Sequence, residues 1–208
     1  MTVLPDDIKP TVIVIDDDQA VRDSLAVLFQ SVGLDSELFA SVQEYLNGKC
    51  ESRPGCMLLD VRLPGKSGLD FQTEILAAND RLPIIFITGY GDIPMTVRAM
   101  KAGAVEFLTK PFHEQQLLDT VNAAIALDKT QRQIQWSQKS LNASFETLTP
   151  RECSIMSHVV NGLMNKQIAV ELNLAEVTVK KYRGQIMRKM NANSLADLVK
   201  MSEKLPHL

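Results

Sequence analysis

Short apolar runs alternate with helix-like patterns through the first 125 residues of this chain, and that alternation limits the fold more than any other feature. Runs rich in Val, Ile, Leu and Phe predict strands near 11–15, 35–39, 56–59, 84–87 and 105–108. Between them the spacing predicts helices near 18–32, 41–48, 67–78, 93–102 and 113–127. In the first helix Val21, Leu25, Leu28, Phe29 and Val32 recur as a single apolar stripe. Ser41-Val-Gln-Glu44 has the form of a capping box at the start of the second. Strands that are apolar almost throughout, each followed by a helix, imply a parallel sheet covered on both faces.

Five such units in this length suit an α/β, flavodoxin-like (βα)5 domain with strand order 2-1-3-4-5. In an open parallel sheet, ligands gather beyond the carboxyl ends of the strands. Four of the runs are followed there by chemically capable groups: Asp16-Asp17-Asp18, Asp60, Thr88 and Lys110-Pro111. Each alone has an ordinary explanation. Asp18 suits a helix N-cap, Asp60 a turn, Thr88 a cap and Lys110 a solvated surface. Their recurrence at successive strand ends makes four separate explanations improbable together.

Three acids, a hydroxyl and an amine at one point suggest a divalent cation and a phosphoryl group. Mg²⁺ (or Mn²⁺) takes oxygen ligands and keeps several waters. Asp16, Asp17 and Asp60 can supply them, with the backbone carbonyl of Arg62. Asp60 is then the nucleophile that forms an aspartyl phosphate. Lys110 offsets charge on the transferring oxygens, and the Thr88 hydroxyl can hydrogen-bond a phosphoryl oxygen. A cis Lys110–Pro111 peptide would aim the lysine into the pocket.

These residues, with Leu63-Pro64-Gly65-x-x-Gly68 and Ala102-Gly103-Ala104, resemble the receiver domain of a two-component response regulator. The resemblance covers about residues 10–127. It implies that Asp16 and Asp17 are the acidic pair, Asp60 the phospho-acceptor, and Thr88 and Lys110 the phosphoryl-sensing residues. The aromatic switch of that family falls on Phe107. The run from Phe86 to Lys101 resembles the FixJ subgroup in particular. If Thr88 is drawn toward a phosphoryl group, Phe107 can turn inward into the space left, giving a two-state element. Phosphorylation is then expected to promote pairing through the face carrying residues 93–127.

After Ile125 the pattern changes. Residues 128–145 are polar and Gln-rich, without Gly or Pro, and suit a linker that extends the preceding helix. Ile134, Leu141 and Phe145 could form a short coiled-coil seam. Thr149-Pro150-Arg151-Glu152 is a strong helix start. Helices are predicted at about 150–161, 165–172, 176–190 and 194–203, a small all-α domain over 146–208 whose middle pair has helix-turn-helix spacing. On segment 176–190, Val179, Tyr182, Ile186 and Met190 form one face. Val177, Lys181, Gly184 and Arg188 lie opposite, flanked by Lys180 and Arg183. The segments Leu148–Glu152, Gly162–Ala169 and Val177–Arg183 are similar to the LuxR/NarL-type helix-turn-helix. That resemblance implies base or groove contacts from Lys180 and Lys181, and phosphate contacts from Lys166, Thr178 and Arg188. Three positions depart from the family: Ala175, Tyr182, where His is usual, and Gly184. Ala175 replaces the usual Ser or Thr cap, worth on the order of 1 kcal/mol. Gly184 replaces a longer side chain, and a helical glycine costs roughly 1 kcal/mol relative to alanine.

Charge follows the same division. Residues 1–125 carry ten Lys and Arg against eighteen Asp and Glu, whereas residues 145–208 carry nine against six. The basic end is the better candidate for double-stranded DNA. No apolar run approaches the roughly 18 residues of a membrane span. No leader is apparent before Pro10, and Cys50, Cys56 and Cys153 lack metal-ligand spacing, so reduced thiols in a cytoplasmic protein are expected. The chain therefore reads as a transcription regulator rather than an enzyme. A sensor histidine kinase would phosphorylate Asp60, and a homodimer would then bind DNA, with RNA polymerase a further candidate partner. A phosphohydrolase of the haloacid dehalogenase type would need a second Asp where Arg62 stands.

Overall fold

The computed structural model describes residues 8–48, 53–78, 82–89 and 91–205. Cys50, Tyr90 and the segment before residue 8 lie outside the described residues. The chain divides into two compact units, Met1–Gln133 and Ile134–Leu208.

The first unit is built on five parallel strands: β1 (Thr11–Ile15), β2 (Asp35–Phe39), β3 (Gly55–Asp60), β4 (Ile84–Thr88) and β5 (Glu106–Thr109). Their order is β2-β1-β3-β4-β5, as expected. Helices α1 (Gln19–Ser31), α2 (Val42–Asn47), α3 (Gly68–Ala77), α4 (Ile93–Lys101) and α5 (Glu114–Glu146) follow the strands in turn. Strand side chains alternate between two apolar layers. Ile13, Ile15, Met57, Leu59 and Phe86 enter one; Val12, Val14, Cys56, Leu58, Ile85 and Ile87 enter the other. Burial on both faces accounts for the unbroken apolar composition of β1, β3 and β4. The edge strands differ: β2 is half-buried along its whole length, and β5 is exposed at both of its ends. Each has only one neighbouring strand, so polar residues are tolerated there.

The helices begin where their polar caps are. The Asp18 carboxylate accepts from the Ala20 and Val21 amides, Ser67 caps α3, and Asp92 caps α4. The expected box at Ser41 is half formed. Its hydroxyl accepts from the Glu44 amide, but the Glu44 carboxylate accepts from Ala40 instead, at 2.6 Å. On α1, Leu25 and Phe29 are buried, whereas Val32 is the C-cap and is 49% exposed. The order in which strands are added reverses between β1 and β3, which opens a crevice beyond their carboxyl ends.

The second unit is all-helical. It holds the end of α5 with α6 (Pro150–Val160), α7 (Asn165–Glu171), α8 (Glu176–Lys189) and α9 (Leu195–Ser202). Residues 128–145 lie within α5. Leu141 and Phe145 pack against the core of Ile155, Met156, Val159, Ile168, Val179, Ile186 and Leu198, while Ile134 is 65% exposed. Two of the three seam residues thus serve their own unit. Asn173 and Asn191 take left-handed backbone conformations between helices, which asparagine tolerates better than most residues. Among the described residues no helix is long and apolar enough to cross a membrane.

A buried carboxylate closes the second unit. Glu152 completes the capping box with Thr149, is 3% exposed, and accepts from Lys189 Nζ at 2.6 Å. The same ammonium donates to the Thr147 carbonyl at 3.0 Å. One carboxylate therefore joins the start of α6 to the end of α8. Lys189 and then the Thr149 hydrogen bonds hold the Glu152 carboxyl below its ordinary pKa. A depressed carboxylate contributes stability above its unfolded pKa and loses it as pH falls through the folded value. Glu152→Ala is expected to destabilise this unit by about 2 kcal/mol at neutral pH, with the deficit shrinking in acid. Urea titration followed by Trp136 fluorescence, at neutral and acid pH, checks both.

Candidate functional site

The carboxyl ends of β1, β3, β4 and β5 form a polar pocket. Ile15 pairs with Leu59, so Asp16 emerges beside Asp60. Thr88 pairs with Thr109, which brings Lys110 to the same edge. Asp16 is fully buried, Asp60 is 7% exposed and Thr88 is buried, whereas Asp17 is exposed. One carboxylate oxygen from each of Asp16, Asp17 and Asp60 lies within 4.8 Å of the others. Lys110 Nζ donates to Asp16 Oδ2 at 2.5 Å and to Asp60 Oδ2 at 3.1 Å. The Lys110–Pro111 peptide is cis.

Local bonds orient these groups. The Asp18 amide donates to Asp16 Oδ1 at 3.0 Å, and the Arg62 amide donates to Asp60 Oδ1 at 3.0 Å. The Lys110 amide donates to the Thr88 carbonyl at 2.8 Å, fixing β5 beside β4. Burial raises the Asp16 pKa, against the opposing pull of Lys110 and the Asp18 amide. Burial also works against the Lys110 charge. The hydrogen bonds and charges of Asp16 and Asp60 outweigh it, so the Lys110 pKa stands above the ordinary lysine value.

The donor set fits a hard divalent cation. Three carboxylates face a single ammonium, which leaves excess negative charge in a partly buried pocket. Oxygen-only donors of this kind suit Mg²⁺ or Mn²⁺ rather than a soft metal. The cluster is typical of divalent metal binding.

Three residues to which the sequence pattern assigned no physical role shape the pocket and its surroundings. Arg22, buried on α1, donates from Nη1 to the Asp16 carbonyl at 2.6 Å. It shares the buried stripe of α1 with Leu25 and Phe29, at i, i+3 and i+7, so a charged residue on an apolar stripe was the signal that could have found it. Gly68 begins α3 directly against the end of β3. A Cβ there would lie 2.3 Å from the Asp60 carbonyl oxygen, so only glycine lets the helix start so close to the end of β3. The Gly65-x-x-Gly68 spacing contained this requirement without its reason. Gly91 faces Phe107, whose ring a Cβ would meet at 2.8 Å. Phe107 itself is half-buried, and its ring centroid is 6.1 Å from that of Phe86.

The basic helix forms a second group, within the other unit. Val179, Ile186 and Met190 are buried and Tyr182 is partly buried, so α8 turns the expected apolar face into the core. Lys180, Lys181, Gly184 and Arg188 are exposed, as is Lys166 in the first turn of α7. Thr178 and Arg183 are half-buried. Arg183 Nη1 donates to Asn165 Oδ1 at 2.8 Å, which ties α8 to the start of α7. Ala175 caps α8 without a side-chain hydrogen bond.

Comparison with known proteins matches both units. The family model of the response regulator receiver domain covers residues 12–122, and that of bacterial regulatory proteins of the luxR family covers residues 146–202. The chain is 56% identical over 197 residues to nodulation protein W of Bradyrhizobium diazoefficiens, covering 95% of this chain and 87% of that protein. It is 38% identical over 194 residues to the transcriptional regulatory protein FixJ of the same organism, covering 93% of this chain and 95% of that one. A low-resolution structure of the response regulator StyR superposes with a TM-score of 0.89 at 49% identity, over 95% of this chain and all of that one, 100%. Full-length FixJ from B. japonicum gives a TM-score of 0.58 at 38% identity, over 95% and 97%. These relatives are regulators rather than enzymes. With a receiver domain that implies a kinase as phosphodonor and a LuxR-type domain that implies DNA binding, the chain belongs to the FixJ-like response regulators of two-component systems.

Proposed function

We propose that Asp60 accepts a phosphoryl group from a sensor histidine kinase, and that this event controls pairing and DNA binding. The observation that carries the reading is the position of Lys110 Nζ between Asp16 and Asp60, within the same acidic cluster. An Asp60 carboxylate oxygen attacks phosphorus, the bond to the donor imidazole nitrogen breaks, and its electron pair returns to the ring. Asp16, Asp17, Asp60 and the Arg62 carbonyl would hold Mg²⁺ or Mn²⁺. A cation bound there would offset negative charge on the phosphoryl oxygens.

The chain's own groups do the remainder. Lys110 holds Asp16 and Asp60 together before transfer and moves its second hydrogen bond from the Asp60 carboxylate to a phosphoryl oxygen afterwards. Burial of Asp16 and Thr88 keeps the transferred group away from most of the solvent. Thr88 donates its hydroxyl to a phosphoryl oxygen and moves toward it. Phe107, half-buried beside Phe86, turns into the space released. The face carrying residues 93–127 then pairs with a second copy.

Domain boundaries follow this division of labour: a receiver over 10–127, a helical linker over 128–145, and a DNA-binding domain over 146–208. In the last, α8 enters the major groove. Lys180 and Lys181 reach base edges or the groove, while Lys166, Thr178, Arg183 and Arg188 hold the backbone. The protein acts in the cytoplasm, and the bound dimer contacts RNA polymerase.

Incubation with acetyl phosphate and Mg²⁺ is expected to add one phosphoryl group to the wild type and none to Asp60→Asn. Analytical ultracentrifugation should show dimers only for the modified protein; a monomer in both states would rule out the pairing step. Lys181→Ala should weaken duplex binding by about tenfold and flatten its salt dependence by roughly one unit of slope. Fluorescence anisotropy across a salt series checks that pair of effects. Gly91→Ala should push the Phe107 ring from its present position and raise DNA binding in the absence of phosphodonor. Unchanged basal binding with an intact fold would remove Phe107 from the switch.

A further inference from the structure

Gly184 stands in the middle of α8, where the fold does not call for glycine. Its backbone is not in the left-handed region, it is exposed, and an added Cβ would meet nothing within 4 Å. Gly68 and Gly91 each avoid a clash inside their unit, and Gly184 avoids none. A glycine inside a helix weakens it relative to alanine. Nothing within the unit offsets that cost, and the bare backbone leaves open space for something that comes close to the helix surface.

The neighbours on that face indicate what approaches. Lys180 and Lys181 are exposed one turn before Gly184. Arg188 Nε donates back to the Gly184 carbonyl at 3.3 Å, so a guanidinium lies along the bare backbone. Val177, two turns toward the N-terminus on the same face, is 74% exposed. Cations beside a stretch of uncovered backbone suit a polyanion. A single apolar side chain among them suits a methyl group on that polyanion. Thymine is the base that presents a methyl group in the major groove.

We propose that Gly184 and Val177 are specificity-determining residues. The missing side chain at Gly184 lets the α8 backbone approach base edges closely, and Val177 contacts the 5-methyl group of a thymine. Their separation of seven positions spans roughly 10 Å of helix. At roughly 3.4 Å per step, the two contacts fall about three base pairs apart. The assignment rests on α8 being the DNA-reading helix.

The test uses the full chain treated with acetyl phosphate and Mg²⁺. A duplex is selected from a randomised pool by the wild type, and affinities are measured by fluorescence anisotropy. Gly184→Ala should raise the Tm by a few degrees yet bind the selected duplex about tenfold more weakly, and its own selection should return a different sequence. Replacing one thymine of the duplex with deoxyuridine should weaken the wild type about three- to fivefold, the worth of one buried methyl group. Val177→Ala should show no difference between the two duplexes. If Gly184→Ala keeps both affinity and selected sequence, or if no thymine replacement affects the wild type, the assignment is wrong while the reading of α8 stands. If the wild type enriches no duplex, or Lys181→Ala binds as well as the wild type, that reading fails and the assignment with it.

Discussion

Lys110 lies between Asp16 and Asp60, and the rest of the first unit is arranged to keep it there. One carboxylate follows β1, the other ends β3, and the ammonium follows β5. The three groups are far apart in the chain and meet only because β1, β3, β4 and β5 are adjacent and parallel. With one ammonium among three acids, the pocket retains net negative charge. That imbalance makes it receptive to a divalent cation, and with it to a phosphoryl group.

Burial gives this charge arrangement its leverage. Electrostatic interactions strengthen in a low-dielectric environment, and Asp16 is fully removed from solvent. The backbone accommodates the crowding through close approaches. Gly68 admits α3 to the end of β3, and Gly91 leaves room for the Phe107 ring. A packed interior of this kind responds to a new group by changing between arrangements rather than deforming smoothly. The half-buried Phe107 ring beside Phe86 is where we propose that such a change occurs.

The second unit is organised around a different polar anchor. The Glu152–Lys189 pair joins the first turn of α6 to the last turn of α8. It stiffens a helix whose own start lacks a capping side chain and whose middle contains a glycine. Tertiary contacts therefore maintain what local preference leaves weak. The exposed face of α8 is left free to differ from relatives without endangering the core beneath it.

Strand order, the two layers of the sheet and the helix starts at Asp18, Ser41 and Thr149 were all legible in the chain. Apolar period and capping chemistry are local properties, and they leave their mark within a few residues. The acids, Thr88 and Lys110 were legible as well, because a parallel sheet gathers whatever ends its strands. Other features were not. Arg22 shares the stripe of Leu25 and Phe29, but its spacing does not say that it turns under Asp16; Glu152 looks like an ordinary capping residue yet is buried against Lys189, and Leu141 and Phe145 look like an intermolecular seam yet enter their own core. Each depends on which distant element arrives beside it. Local sequence thus determined the elements and the groups at their ends, while only packing decided which charges are buried, what they pair with and which glycines face open space.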